Sequence, residues 1–231
     1  MRPERASKFG PRCSVPVRGA TIPKRHFIAL RRSVSALRDP VPPRNPLPMV
    51  TPMVTFDAGA GKVEGTETGA QMVDLPNPDV LEAPPKLLAG VADDYDMTRR
   101  GEIPKLYERF FALAGGLQTV VTPVLYGVSM NAQPDGSFRY GVGREIDDAD
   151  APQPEGTCHI ALVGGPYLRW ALRTPMTLMP AYFDAVFSDF LPTSDWQPRE
   201  GAVFELYPED TNPVDGTMSY EIWVPVEPRQ M

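Results

Sequence analysis

The residue least in keeping with its neighbours is Glu205, in the run Val203-Phe204-Glu205-Leu206-Tyr207. β-Branched and aromatic residues of this kind favour a strand, and strand side chains alternate between faces. Glu205 therefore faces away from Phe204. Its carboxylate either meets water or is buried, and burial is costly without a partner. A buried carboxylate attracts a cationic ligand or, with its pKa raised, acts as a general acid or base. Aromatic faces complement a delocalised organic cation. Tyr126, Trp170, Tyr107, Tyr140 and Trp223 are the candidates to line such a site, although each also suits an ordinary core.

Other chemistries are poorly supplied. His26 and His159 are the only histidines, which excludes a multi-histidine metal centre. Cys158 and His159 are adjacent on an extended run, so they point to opposite faces and cannot act as a nucleophile–base pair. Cys13 and Cys158 have no metal-site spacing, and a structural disulfide framework is not expected. The acidic run from Glu145 to Asp150 lacks the spacing and closing glutamate of a calcium loop. No metal or cofactor is expected.

The elements that must position Glu205 read in order. Asp79 to Ala83 and Lys86 to Asp94 are extended, separated by Pro84-Pro85. Gly101 to Ala114 has helical spacing, with Leu106, Tyr107, Phe110 and Phe111 on one side; Gly115-Gly116 stops it. Val124 to Asn131 and Ser137 to Asp147 form a hairpin around Gln133-Pro134-Asp135-Gly136. The order then returns: strand at Cys158 to Val163 and Tyr167 to Leu172, helix at Met179 to Leu191 ended by Pro192, hairpin at Gly201 to Pro225. Ile103-Pro104 falls on Met179-Pro180, Val124-Leu125-Tyr126 on Val203-Phe204-Glu205, and Tyr140 on Tyr220. The offset is about 76 residues, too long for a solenoid repeat. It fits a duplicated β-α-β-β unit, hence an α+β fold with pseudo-two-fold symmetry, an antiparallel sheet, two main helices and a central cleft. The alignment makes Tyr126 the counterpart of Glu205, facing the same cleft from the other half.

Ahead of this body lies a different composition. Residues 1–48 carry eleven of the 23 Lys and Arg and only Glu4 and Asp39 among the 29 acidic residues. Residues 1–72 read as a basic, Pro-rich leader and linker, expected to be disordered; residues 73–231 form the domain. A transit peptide, a start assigned ahead of the true one, and a basic arm are the open readings of the leader. The acidic body argues against direct nucleic-acid binding and is compatible with cations. No apolar run approaches membrane-spanning length, and a cytoplasmic location is expected.

Four stretches carry a family resemblance: Leu87-Leu88-Ala89-Gly90-Val91, Gly164-Gly165-Pro166-Tyr167, Phe204-Glu205-Leu206-Tyr207 and Glu221-Ile222-Trp223-Val224-Pro225-Val226. In this order the chain resembles the bacterial GyrI-like effector-binding domain of AraC-type and MerR-type regulators, across about residues 73 to 228, without a DNA-binding module. The resemblance implies binding of a small organic molecule, often a lipophilic cation, with Glu205 as charge partner. It also implies two alternatives: a hydrolase of strained or electrophilic small molecules in which Glu205 is catalytic, and a gyrase-inhibitor-like role with a protein partner.

Overall fold

The computed structural model describes residues 72–96, 98–209 and 216–230. All of the leader, residues 1–72, except Met72 lies outside the described residues, as do residues 210–215. The strands are β1 (Asp79–Ala83), β2 (Lys86–Tyr95), β3 (Leu125–Met130), β4 (Phe138–Glu145), β5 (Cys158–Leu162), β6 (Gly165–Thr174), β7 (Trp196–Pro198), β8 (Val203–Tyr207) and β9 (Met218–Pro228). All paired strands are antiparallel, in the order β1-β6-β9-β8-β3-β4-β2-β5, with β7 paired to β9. That order is a palindrome. Exchanging the two halves of the chain reverses it, so a pseudo-two-fold axis passes between β3 and β8, as the repeat requires.

One aspect of the topology has no signature in the local sequence pattern. β1 pairs with β6 of the second half, and β5 pairs with β2 of the first. Each repeat thus lends its leading strand to the other. The two crossings meet where Gly164 passes Pro85: a Cβ on Gly164 would stand 2.8 Å from Pro85 Cδ and 3.2 Å from the Ala83 carbonyl. The chain needs glycine there for close backbone approach. The sheet has two faces, an outer one covered by the helical segments and an inner one with a core of its own.

Helix α1 (Ile103–Ala114) starts with Pro104 in its first turn and buries Leu106 and Phe110 against β2 and β4. Phe111, read as part of that apolar side, is instead exposed. Helix α2 (Met179–Asp184) runs on as a π-helical segment, Ala185–Phe190, and a last turn, α3 (Leu191–Thr193). Pro192 therefore does not end the helix; it occupies the first turn of α3, where proline is tolerated. These helical segments pack on the outer face of the sheet, over Trp170, Tyr220 and Ile222. The inner face has its own core of Leu88, Val128, Ile160 and Phe204. Cys158 is disulfide-bonded, where no structural disulfide was expected. Among the described residues no helix is long and apolar enough to cross a membrane.

Candidate functional site

Strand order and register place Glu205 at the centre of the sheet. β8 pairs with β3 through Glu205 and Gly127, and with β9 through Glu205 and Ile222. Alternation sends Val203, Glu205 and Tyr207 to the outer, helix-covered face and Phe204 and Leu206 to the inner one. Glu205 is 6% exposed. Tyr140, on β4, donates a hydrogen bond to Glu205 Oε2 at 2.8 Å. Tyr107 of α1 shares a hydrogen bond with Tyr140, hydroxyl to hydroxyl at 2.9 Å. Tyr207 Oη lies 3.5 Å beyond Tyr107 Oη. The result is one carboxyl group at the end of a file of three tyrosine hydroxyls.

Gly127 makes room for this file. A Cβ there would collide with Tyr140 Oη and Glu205 Oε2 and lie 2.7 Å from Tyr107 Oη. The pseudo-two-fold position of the carboxylate is thus left empty, and the cluster fills it.

The electrostatics are lopsided. Among the described residues no Lys, Arg or His forms an ion pair with Glu205. Burial raises its pKa from 4.5 to about 7, opposed by the hydrogen bond from Tyr140. Burial, then the nearby carboxylate, raises the Tyr107 and Tyr140 hydroxyls. Tyr207 is raised by burial first, then by Tyr107 and the carboxylate. All three hydroxyls therefore stay protonated across the range in which Glu205 titrates. The group of four can accept a positive charge, or let Glu205 take up and release a proton near neutrality.

The expected site residues divide between the two faces. Glu205, Tyr107 and Tyr140 come together. Trp170 shares their face but stands within the core of the second half, 1% exposed and edge-on to Phe190 with ring centres 5.4 Å apart. Tyr126 does not share the cleft with Glu205. It pairs with Leu206 and points to the inner face, and its pseudo-symmetric counterpart is Phe204. Trp223 is on the inner face too, stacked on Phe204 at 5.5 Å and 13°. Tyr126 and Trp223 border a hollow of about 200 Å³ there, separate from Glu205. Tyr207 and Gly127 are members of the cluster that the sequence reading did not select. Alternation alone puts Tyr207 beside Glu205, two residues on, whereas Gly127 needs the β3–β8 register. Among the described residues no group of His, Cys, Asp or Glu has the arrangement of a metal site.

Residues 76–227 match the model of the GyrI-like small molecule binding domain. The chain belongs to this family. Small-molecule binding is therefore its functional class, and the symmetric α+β sheet is the framework that serves it. A stretch of 126 residues is 26% identical to the transcriptional regulator BrlR of Pseudomonas aeruginosa, covering 54% of this chain and 46% of the regulator. The chain thus spans less than half the length of that relative. A solved structure of SAV2435 bound to tetraphenylphosphonium superposes with a TM-score of 0.51 at 17% identity, covering 66% of this chain and 94% of that one. The C-terminal domain of EcmrR matches with a TM-score of 0.47 at 14% identity, over 66% of this chain and 98% of that domain.

Proposed function

We propose that the domain captures a lipophilic organic cation on its outer face, with Glu205 as counter-charge and Tyr107, Tyr140 and Tyr207 as aromatic wall. One observation carries this reading: a buried carboxyl group with no cationic partner among the described residues. A buried charge is stabilised by pairing, and here the pair is left for a ligand to complete. Aromatic rings around it add attraction for a desolvated cation. Tyr107 of α1 is half-buried and reaches the carboxyl group through the Tyr140 hydroxyl. Ligand entry therefore requires α1 and Tyr107 to shift, and the affinity includes the cost of that opening.

Tetraphenylphosphonium, the cation named with SAV2435, is the appropriate first probe. Calorimetric titration at pH 8 is expected to show saturable binding, weakened at least tenfold by Glu205→Gln. Equal affinity in the two proteins removes Glu205 from the site. The value near 7 also favours a second reading, in which Glu205 draws a proton from water to hydrolyse an electrophilic substrate. Turnover of an epoxide or activated ester that vanishes in Glu205→Gln supports hydrolysis; binding without turnover supports capture. A role in transcription, suggested by the similarity to the transcriptional regulator BrlR, belongs to the same proposal.

A further inference from the structure

We infer that the inner face holds a second, independent site, which takes a neutral, flat aromatic molecule. The hollow of about 200 Å³ is lined by residues of both exchanged strands, Ala83 of β1 and Leu162 of β5 among them. Its floor is a ring cluster. Phe204 stacks on Trp223, and Tyr167 meets both edge-to-face at 5.6 and 5.9 Å. Tyr126 tilts against Phe204 at 5.8 Å.

The polar atoms of these rings are already engaged at the rim. Trp223 Nε1 donates to Glu221 at 2.7 Å, Tyr126 Oη to Glu145 at 3.4 Å, and Tyr167 Oη to the Val163 carbonyl at 2.7 Å. The rim cations Lys86 and Arg169 are matched as well. Lys86 pairs with Glu145 at 2.6 Å, and Arg169 pairs with Asp79 at 2.6 Å and with Glu221 at 3.4 Å. Arg199 lies over the Tyr167 ring at 5.0 Å and donates to the Pro166 carbonyl. What remains for a ligand is mostly aromatic surface; Glu82, which also lines the hollow, is exposed to water and has no ion pair among the described residues. An ion entering would lose its hydration for little return from the water-screened Glu82, whereas a flat apolar ring gains stacking and burial. A hollow of this size suits two or three rings.

The site is back to back with Glu205 across β8, where side chains alternate between the two. It does not depend on the cation proposal, and its chemistry is opposite. Binding of the uncharged fluorophore N-phenyl-1-naphthylamine to the full chain tests it. One equivalent is expected to bind, with energy transfer from tryptophan that falls in Trp223→Phe. Ala83→Leu, which fills the hollow from its edge strand, and Leu206→Asn, which makes its wall polar, are each expected to weaken binding at least tenfold. Glu205→Gln is expected to leave it within twofold. Melting curves for both hollow variants separate loss of the site from loss of the fold. No saturable binding, unchanged affinity in a folded hollow variant, or loss confined to Glu205→Gln each overturns the inference.

Discussion

Replacing Glu205 by glutamine removes a charge while preserving shape, and its effect on stability must depend on pH. In the unfolded chain the carboxyl group titrates at its ordinary 4.5; in the folded protein it titrates at about 7 because burial disfavours the ion. The folded state therefore holds the extra proton between these values. A raised acid pKa means that stability is intact below 4.5, declines as pH rises through the window, and levels off above 7. At 1.36 kcal/mol per unit, the loss amounts to about 3 kcal/mol, a large share of a typical stability of about 5–15 kcal/mol. Urea denaturation of wild type and Glu205→Gln at pH 4.5, 6 and 8 measures it. Subtracting the two curves cancels the exposed acids, which titrate alike in both. The variant is expected to gain about 3 kcal/mol on wild type between pH 4.5 and pH 8. A difference that stays flat across this range refutes the claim that Glu205 is buried, unpaired and titrating near neutrality.

Further outcomes follow from the same geometry. Gly127→Ala forces a Cβ into the hydroxyl–carboxyl cluster and is expected to lower stability by about 1–3 kcal/mol, as overpacking does, and to weaken cation binding; thermal melts and titration check both. Tyr140→Phe removes the hydrogen bond that opposes the effect of burial, so Glu205 should titrate above 7, read by carboxyl-stretch infrared spectroscopy. Trp170→Phe removes an indole N–H that has no partner among the described residues, so it should cost less than Trp170→Ala, which should cost about 3–5 kcal/mol through the cavity it leaves. Neither change should alter ligand affinity if the stable fraction is compared.

Much of the fold was legible because its signals are local. The apolar spacing over α1, the Gly115-Gly116 stop and the Pro134-Asp135-Gly136 turn each act within a few residues. The repeat of element order gave the symmetry. Glu205 was legible as an anomaly between Phe204 and Leu206. The alignment of the halves, however, was displaced by one residue around β3 and β8. In a strand that displacement moves every side chain to the other face, so Tyr126 was set opposite Glu205 where Gly127 belongs. The displacement arose because the offset between repeats changes slightly from element to element, and glycine leaves no chemical mark to align. The exchange of β1 and β5 was invisible for a different reason. Pro84-Pro85 marks a break but not the strand that lies beyond it. The three-residue β7 is too short to carry an alternation.

Proton release on ligand binding tests the central claim most directly. If a cation pairs with Glu205, binding requires the ionised form, which at pH 6 is a minority when the pKa is about 7. Titrating tetraphenylphosphonium in buffers of different ionisation enthalpy should then reveal about 0.9 protons released per cation at pH 6 and about 0.1 at pH 8, with affinity rising over the same interval. Glu205→Gln should release none and bind weakly at both pH values. Tight binding to wild type at pH 6 without proton release would contradict the account.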